Sequence, residues 1–99
     1  SGEESLFTPL VAAAFRGRIQ AALSRGRCAG PDASSSYFVP RPNDAAAGTV
    51  GLSECLVAAL PKLPPELEYR AAGVVLVLID VHAGIVVDVV HGAFPVRND

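Results

Sequence analysis

Apolar residues recur along the chain in blocks, and the first block has the spacing of an amphipathic helix. From Val11 to Leu23 they return every three to four residues, which places them on one stripe. Thr8 and Pro9 are typical of a helix start. The Thr8 hydroxyl can accept a hydrogen bond from a free amide of the first turn, and proline suits the first helical position. The pattern predicts a helix over about residues 9–25. Its stripe consists of Val11, Phe15, Ile19, Ala22 and Leu23.

The middle of the chain alternates between loop-forming and helical patterns. Residues 28–50 are rich in Gly, Pro, Ser, Asp and Asn, which predicts a long connection, with one short strand at Ser36–Val39. Leucine and alanine return at helical spacing after Ser53, a capping residue, and predict a second helix over about residues 53–60. Pro61–Pro65 predicts an extended, stiff link to the apolar region that follows.

The stretch from Gly73 to Gly92 consists of two nearly continuous apolar strands separated by a small turn. Val and Ile favour strand over helix, and a two-residue turn at Ala83 and Gly84 predicts a hairpin. Both faces are then mainly apolar, so both need cover. One face carries Leu76, Leu78, Asp80, His82, Ile85, Val87, Val89 and His91. The other face carries Val75, Val77, Ile79, Val81, Val86, Asp88 and Val90.

Composition indicates that a second chain covers part of this hairpin. Hydrophobic residues make up 51% of the 99 residues and charged residues 18%, which is unusual for a small monomer with much surface. A two-fold interface would bury the surplus against a second copy. We therefore expect a single α+β domain over residues 1–99, a fragment of a larger protein, that forms a homodimer. The residues expected in its core or dimer interface are Phe15, Ile19, Leu23, Val75, Val77, Ile79, Val86 and Val90.

Basic residues are concentrated near the N terminus, although the net charge of the chain is −2. Residues 1–30 contain four arginines and two glutamates. Arg16, Arg18, Arg25 and Arg27 are either a solvated, ion-pairing flank, which we favour, or a patch that contacts phosphate. Nucleic acid is not an expected partner, because the net charge provides no global basic field. The glycines also lack the patterns of dinucleotide- and nucleotide-binding loops.

The cysteines and histidines offer two further candidates for chemistry. Cys28 and Cys55 lack metal-type spacing, and we favour two reduced intracellular thiols over a single disulfide in a secreted protein. Asp80 and His82, with His91 nearby, are residue types that hold metals or transfer protons. We favour solvated positions beside a turn, because no motif supplies a third ligand or a nucleophile. A small enzyme is therefore the least favoured hypothesis.

The apolar run has two other possible roles. A membrane span is not expected, because Asp80, His82 and Asp88 interrupt the run. Val74–Asp80 has the pattern of a peptide that adds as a strand to a ubiquitin-like modifier. A buried core strand has the same pattern, and we favour it. A module that binds a peptide or modifier at an exposed edge of the hairpin is the alternative function.

The second half of the chain resembles a known family. The matching features are Glu54-Cys55-Leu56, Gly73 with an apolar strand that ends in Asp80, a small turn, a second strand, and Pro95 near a basic residue. They resemble the C-terminal dimerisation domain of the infected-cell-protein-zero family. The members of this family are immediate-early RING ubiquitin ligases and transactivators of alphaherpesviruses. The Ala-, Gly-, Pro- and Arg-rich composition is similar to proteins of GC-rich herpesvirus genomes, such as the bovine homologue.

The resemblance implies a homodimer in which strands of two protomers complete a barrel-like β-structure. It also implies a location in the host nucleus, activation of viral genes, and host ubiquitin-pathway proteins or ubiquitin-like modifiers as partners. Ligase chemistry and its zinc would belong to a RING domain elsewhere in the full protein, because two cysteines cannot build one. This chain is then expected to be no enzyme and to hold no metal or other cofactor.

Overall fold

The chain folds into helices packed on one four-stranded antiparallel sheet. The computed structural model describes residues 9–24, 28–30 and 40–94. Its elements are α1 (Pro9–Ser24), β1 (Val50–Gly51), α2 (Glu54–Ala59), β2 (Leu67–Ala72), β3 (Val75–Asp80) and β4 (Ile85–Val90). The strand order is β1-β2-β3-β4, so the sheet is not closed into a barrel. The α+β class and both predicted helices are confirmed, while the strand predicted at Ser36–Val39 lies outside the described residues.

The turn between β3 and β4 is wider than the sequence predicted. Asp80 pairs with Ile85, so four residues, not two, connect the strands. The Asp80 carboxylate accepts from the amides of His82 and Ala83 at 2.9 and 3.1 Å, which stabilises the wider turn. Gly84 completes it with a φ of 67°, a conformation that costs glycine little.

A β-bulge in the hairpin changes which side chains share a face. Leu78 pairs with Asp88 but Ile79 pairs with Val86, so Val87 is the extra residue. An extra residue reverses the alternation of side chains beyond it. Asp88 and Val90 therefore lie on the face of Leu76 and Leu78, and the prediction that they share the face of Val77 is wrong.

The two helices cover the first face of the sheet. Phe15 and Ile19 of α1 are buried there, as predicted, and Leu23 is partly buried. Leu56 of α2 is fully buried beside them. Ser53 caps this helix, because its hydroxyl oxygen accepts a hydrogen bond from the Leu56 amide at 3.3 Å. From the sheet this core contains Tyr69, Ala71, Leu76, Leu78 and Val90.

The second face is covered by a segment that we call the strap, Asn43–Gly51. At one edge of the sheet, Asn43 donates to the Val86 carbonyl and Val86 donates to the Asp44 carbonyl, both at 2.7 Å. At the opposite edge, Val50 pairs with Ala71 of β2. The strap therefore crosses the face between the two edges. The buried residues of this face are Ala72, Val75, Val77, Ile79 and Val86, with Ala46 of the strap packed against them.

Arg70 fixes the strap to the sheet. Its Nε donates to the Thr49 hydroxyl at 2.7 Å, and its Nη2 donates to the Thr49 carbonyl at 2.8 Å. The third nitrogen, Nη1, forms an ion pair with Glu68 at 2.9 Å. The Thr49 hydroxyl in turn donates to the Ala46 carbonyl at 2.7 Å. One planar guanidinium thus fixes the end of the strap through several directed bonds.

The single chain accordingly buries both faces of its hairpin. Val77 and Val86 are fully buried without a second copy. The inference that a second chain has to cover this surface is therefore wrong, because the strap supplies the cover. Homodimerisation itself stays a prediction, as does any contact of the eight predicted core residues with a second copy.

The two cysteines form a disulfide, so the prediction of reduced thiols is wrong. Cys28, just after α1, is bonded to Cys55 of α2 across 27 residues of sequence. Cys28 is buried in the helix-side core. The bond joins the two helices that cover the first face, which explains how a six-residue helix stays in place.

Replacing Ile19 with Ala should lower the free energy of unfolding by about 2–5 kcal/mol, because it leaves a cavity in the core. Leu10 is the matched control: it belongs to the same helix but is 85% exposed. Leu10→Ala should change the free energy of unfolding by no more than about 0.5 kcal/mol. Urea denaturation measures both. Equal losses in the two variants would contradict the packing of α1.

Removing the disulfide with the double change Cys28→Ser and Cys55→Ser should cost about 3.5 kcal/mol, the chain-entropy value for a loop of this length. Denaturation with and without dithiothreitol measures the loss. Reductant should lower the stability of the native protein to that of the variant and leave the variant unchanged. Free thiols detected in the folded, untreated protein would rule the bond out.

Candidate functional site

The polar residues that the sequence singled out are not brought together. The Asp80 carboxylate is engaged by the turn, and His82 is exposed in that turn. His91 lies at the other end of β4 from this turn. A strand of six residues separates the two ends by about 20 Å. Among the described residues, no group of three His, Cys, Asp or Glu side chains is placed to hold a metal. This separation supports the solvated interpretation of these residues.

The arginines of α1 divide into two roles. Arg16 donates from Nε to the His91 carbonyl at 2.9 Å and so links α1 to the end of β4. Arg18 is exposed and lies beside a groove described below. Arg25 and Arg27 lie outside the described residues. At least one member of the basic cluster, for which a phosphate-contacting patch was the less favoured interpretation, is therefore engaged within the fold.

Neighbouring segments occupy both sides of β3 and the start of the outer edge of β4. Val75–Asp80 is the central strand, with β2 on one side and β4 on the other. The outer edge of β4 is paired at Val86 by the strap, and the Gly84 carbonyl accepts from Ala46 at 2.8 Å. Both strands of the hairpin are thus engaged where an added strand would begin.

A surface groove between α2 and the start of β2 is a candidate site among the described residues. We call it the proline groove; its volume is about 490 Å³. Pro61 follows the last turn of α2, and the segment from there to Pro65 stays extended because its prolines fix the backbone. Its lining consists of Val57, Ala58, Leu60, Pro61, Lys62, Leu63, Pro64, Pro65, Leu67, Glu68 and Tyr69.

Two hydrogen bonds hold the proline segment against the sheet. The Tyr69 hydroxyl donates to the Pro61 carbonyl at 2.6 Å, and the Leu67 amide donates to the Pro64 carbonyl at 3.1 Å. The Tyr69 ring is buried and packs against Phe15, with ring centroids 6.0 Å apart. The groove therefore has a fixed wall and a fixed floor before any partner arrives.

Tyr69 is the titratable group at the floor of this groove. Burial raises the pKa of its phenol above the ordinary value, and the Arg18 guanidinium partly opposes the rise. At neutral pH the hydroxyl is therefore protonated and available as a donor. Because this hydroxyl already donates a hydrogen bond to the Pro61 carbonyl, its role is to hold the wall of the groove in place.

A second groove adjoins the first across Ala58, and we call it the disulfide groove. It has a volume of about 430 Å³. Its lining consists of Arg18, Ala21, Ala22, Cys28, Cys55, Ala58 and Ala59. The two grooves thus form one continuous, mainly apolar surface beside the disulfide, which can bind a partner by contact.

Sequence reasoning missed both grooves. The pattern of Pro61–Pro65 predicts a link, although three prolines in five residues indicate a rigid, exposed surface as well. The strand β2, Leu67–Ala72, which forms the groove floor, is not among the predicted elements either. The disulfide groove depends on pairing Cys28 with Cys55, for which their spacing gives no signal.

Comparison with known proteins shows a likeness of fold. No family model matches the chain, and no curated protein matches its sequence. Among solved structures it is similar to the C-terminal domain of the inner membrane protein CigR from Salmonella enterica, with a TM-score of 0.58. The sequences are 17% identical, and the match covers 95% of this chain and 98% of that one.

This bacterial neighbour overturns the viral interpretation. The resemblance to the infected-cell-protein-zero family is wrong, and with it the immediate-early role, the link to ubiquitin ligation and the host nucleus. An apolar hairpin with a small turn is common to many folds, so this sequence pattern is not specific to the viral family. Within the described residues, no helix is long and apolar enough to cross a membrane.

Alkaline titration tests the burial of Tyr69. Because burial raises the pKa of its phenol, Tyr69 should ionise at higher pH than an ordinary tyrosine. The folded-state pKa is raised, so the neutral phenol contributes stability at lower pH, and that contribution is lost as pH rises through the folded pKa. Tyrosinate absorbance and denaturation at several pH values measure the two effects.

The control for this titration is Tyr69→Phe, which retains the ring and leaves Tyr37 as the remaining tyrosine of the chain. The variant should lose the late-ionising group. Two tyrosines that ionise together at the ordinary pKa in the native protein would show that the Tyr69 hydroxyl is not buried against Pro61.

Proposed function

We propose that this chain is a non-catalytic protein-interaction domain that binds an apolar segment of a partner protein in the proline groove. The observation that carries the proposal is the groove itself. Nine of its eleven lining residues are apolar or aromatic, yet it lies open at the surface of the folded chain. Exposed apolar surface of this kind marks sites of interaction in soluble domains.

The shape of the groove favours a protein segment over a small molecule. Seven of its eleven lining residues are exposed, so the groove is shallow, whereas small-molecule sites enclose most of their ligand. Prolines form much of its wall. Because their backbone is already fixed, a partner that binds there orders little of the groove. No cofactor or metal takes part in this proposal.

The disulfide supports a location outside the cytoplasm. Disulfides form and persist in oxidising compartments and are rare in reducing ones. The structural neighbour is the C-terminal domain of an inner membrane protein. We therefore propose that this domain acts in an extracytoplasmic compartment as part of a larger protein.

Selection from a random peptide library displayed on phage, with the oxidised domain immobilised, tests the proposal. Enriched peptides should be rich in apolar residues. Val57→Arg, at a 43% exposed position that lines the groove, should weaken their binding roughly tenfold or more, as expected for a central contact.

The matched control for this experiment is Val81→Arg. Val81 is 40% exposed but lies in the hairpin turn, outside the groove, so this variant should bind as the native domain does. Isothermal titration with one enriched peptide measures all three proteins. Equal binding by the Val57 variant, or peptide-induced NMR shifts confined to the sheet edges, would refute the groove as the binding site.

A further inference from the structure

We infer that the partner segment carries a carboxylate beside its apolar side chains, and that Arg18 and Lys62 bind this carboxylate where the two grooves meet. The inference rests on the proposed function, because it names the chemistry of the segment that the groove takes. It follows from the charges that line the two grooves and from the way the grooves adjoin.

The two grooves form one binding surface. Ala58, on the exposed side of α2, lines both of them, so a single extended segment can cross the short helix from one groove to the other. Val57 is half-exposed beside it. A segment that follows this path contacts side chains of α1, α2 and the proline segment. Its position over Ala58 decides which charges it meets.

Three charged side chains line this combined surface: Arg18, Lys62 and Glu68. Glu68 is paired with Arg70 at 2.9 Å, which compensates its charge within the fold. Arg18 and Lys62 are both exposed, and neither makes a hydrogen bond or ion pair with another described residue. The uncompensated charge of the binding surface is therefore positive on both sides.

Each cation lines one of the two adjoining grooves, Lys62 the proline groove and Arg18 the disulfide groove. Arg18 is close enough to Tyr69 for its charge to act on the phenol. The Tyr69 hydroxyl donates to the carbonyl of Pro61, the residue directly before Lys62. Arg18 and Lys62 thus flank the region around Tyr69 and Ala58. A carboxylate placed there gains two favourable charge interactions, whereas an ammonium group meets repulsion.

Other anionic partners fit this surface less well than a protein segment. The exposed lining residues include no aromatic ring on which a nucleic acid base would stack, since Tyr69 is buried. Two separate cations also provide little attraction for an anionic membrane, which requires a larger basic cluster. An acidic and apolar peptide uses both the grooves and the two charges.

The composition of phage-selected peptides tests the inference. Peptides selected by the native domain should be enriched in Asp and Glu relative to the unselected library. The double variant Arg18→Glu and Lys62→Glu should select peptides enriched in Lys and Arg instead. The control Arg41→Glu reverses another exposed arginine, outside the grooves, and should select as the native domain does. Circular dichroism checks that all three proteins are folded.

One enriched peptide then provides a quantitative test. Changing its acidic residue to the matching amide should weaken binding by up to about fivefold for each cation that contacts it, as exposed ion pairs do. The ratio of the affinities for the acidic peptide and the amide peptide should be smaller in the Arg18→Gln variant than in the native domain. Added salt should also reduce this ratio in the native domain.

The possible outcomes separate the inference from the proposed function. Apolar peptides selected without acidic enrichment would overturn the inference and leave the proposed function intact. No enrichment of any peptide would overturn both. Vesicles containing phosphatidylglycerol that bind the domain and displace the selected peptides would also overturn the inference, because the cations would then serve a lipid surface.

Discussion

The central strand β3 needs cover on both of its faces, and the positions of the other elements follow from this need. Its five residues from Val75 to Ile79 are all buried, so neither face of the sheet can remain in water. Helices α1 and α2 pack on one face through Ile19 and Leu56. The strap, Asn43–Gly51, crosses the other. The disulfide and Arg70 then hold the helix pair and the strap in place.

Sequence patterns revealed the elements whose stability is local and missed those that depend on distant partners. The stripe containing Phe15 and Ile19 predicted α1, since its 3-to-4-residue spacing is a property of the helix alone. The strap consists of small and polar residues that look like a loop, and its role appears only when it meets β4 and β2. The high apolar content therefore pointed to a second copy. The bulge at Val87 lies in a valine-rich strand, Ile85–Val90, whose sequence gives no signal of the register.

The candidate site was hidden for the same physical reason. Its floor is Tyr69 in a strand that the sequence did not reveal, and one wall is a proline segment that has no periodicity. The second groove depends on the disulfide between Cys28 and Cys55, which are 27 residues apart in sequence. The spacing of two cysteines does not predict whether they form a disulfide. The sequence did reveal Arg18 as part of a basic cluster. It did not reveal that the arginines of this cluster have different surroundings. Arg18 lines a groove, whereas Arg16 donates a hydrogen bond to the His91 carbonyl.

The strap also affects how the folded chain behaves in a crowded solution. An exposed edge of a valine-rich strand such as Ile85–Val90 is a template for pairing with other chains and for stacked β-assemblies. By pairing with Val86 on the outer edge of β4, the strap occupies backbone groups that a second chain would need. The segment that completes the core therefore also shields the start of this edge from pairing with a second chain.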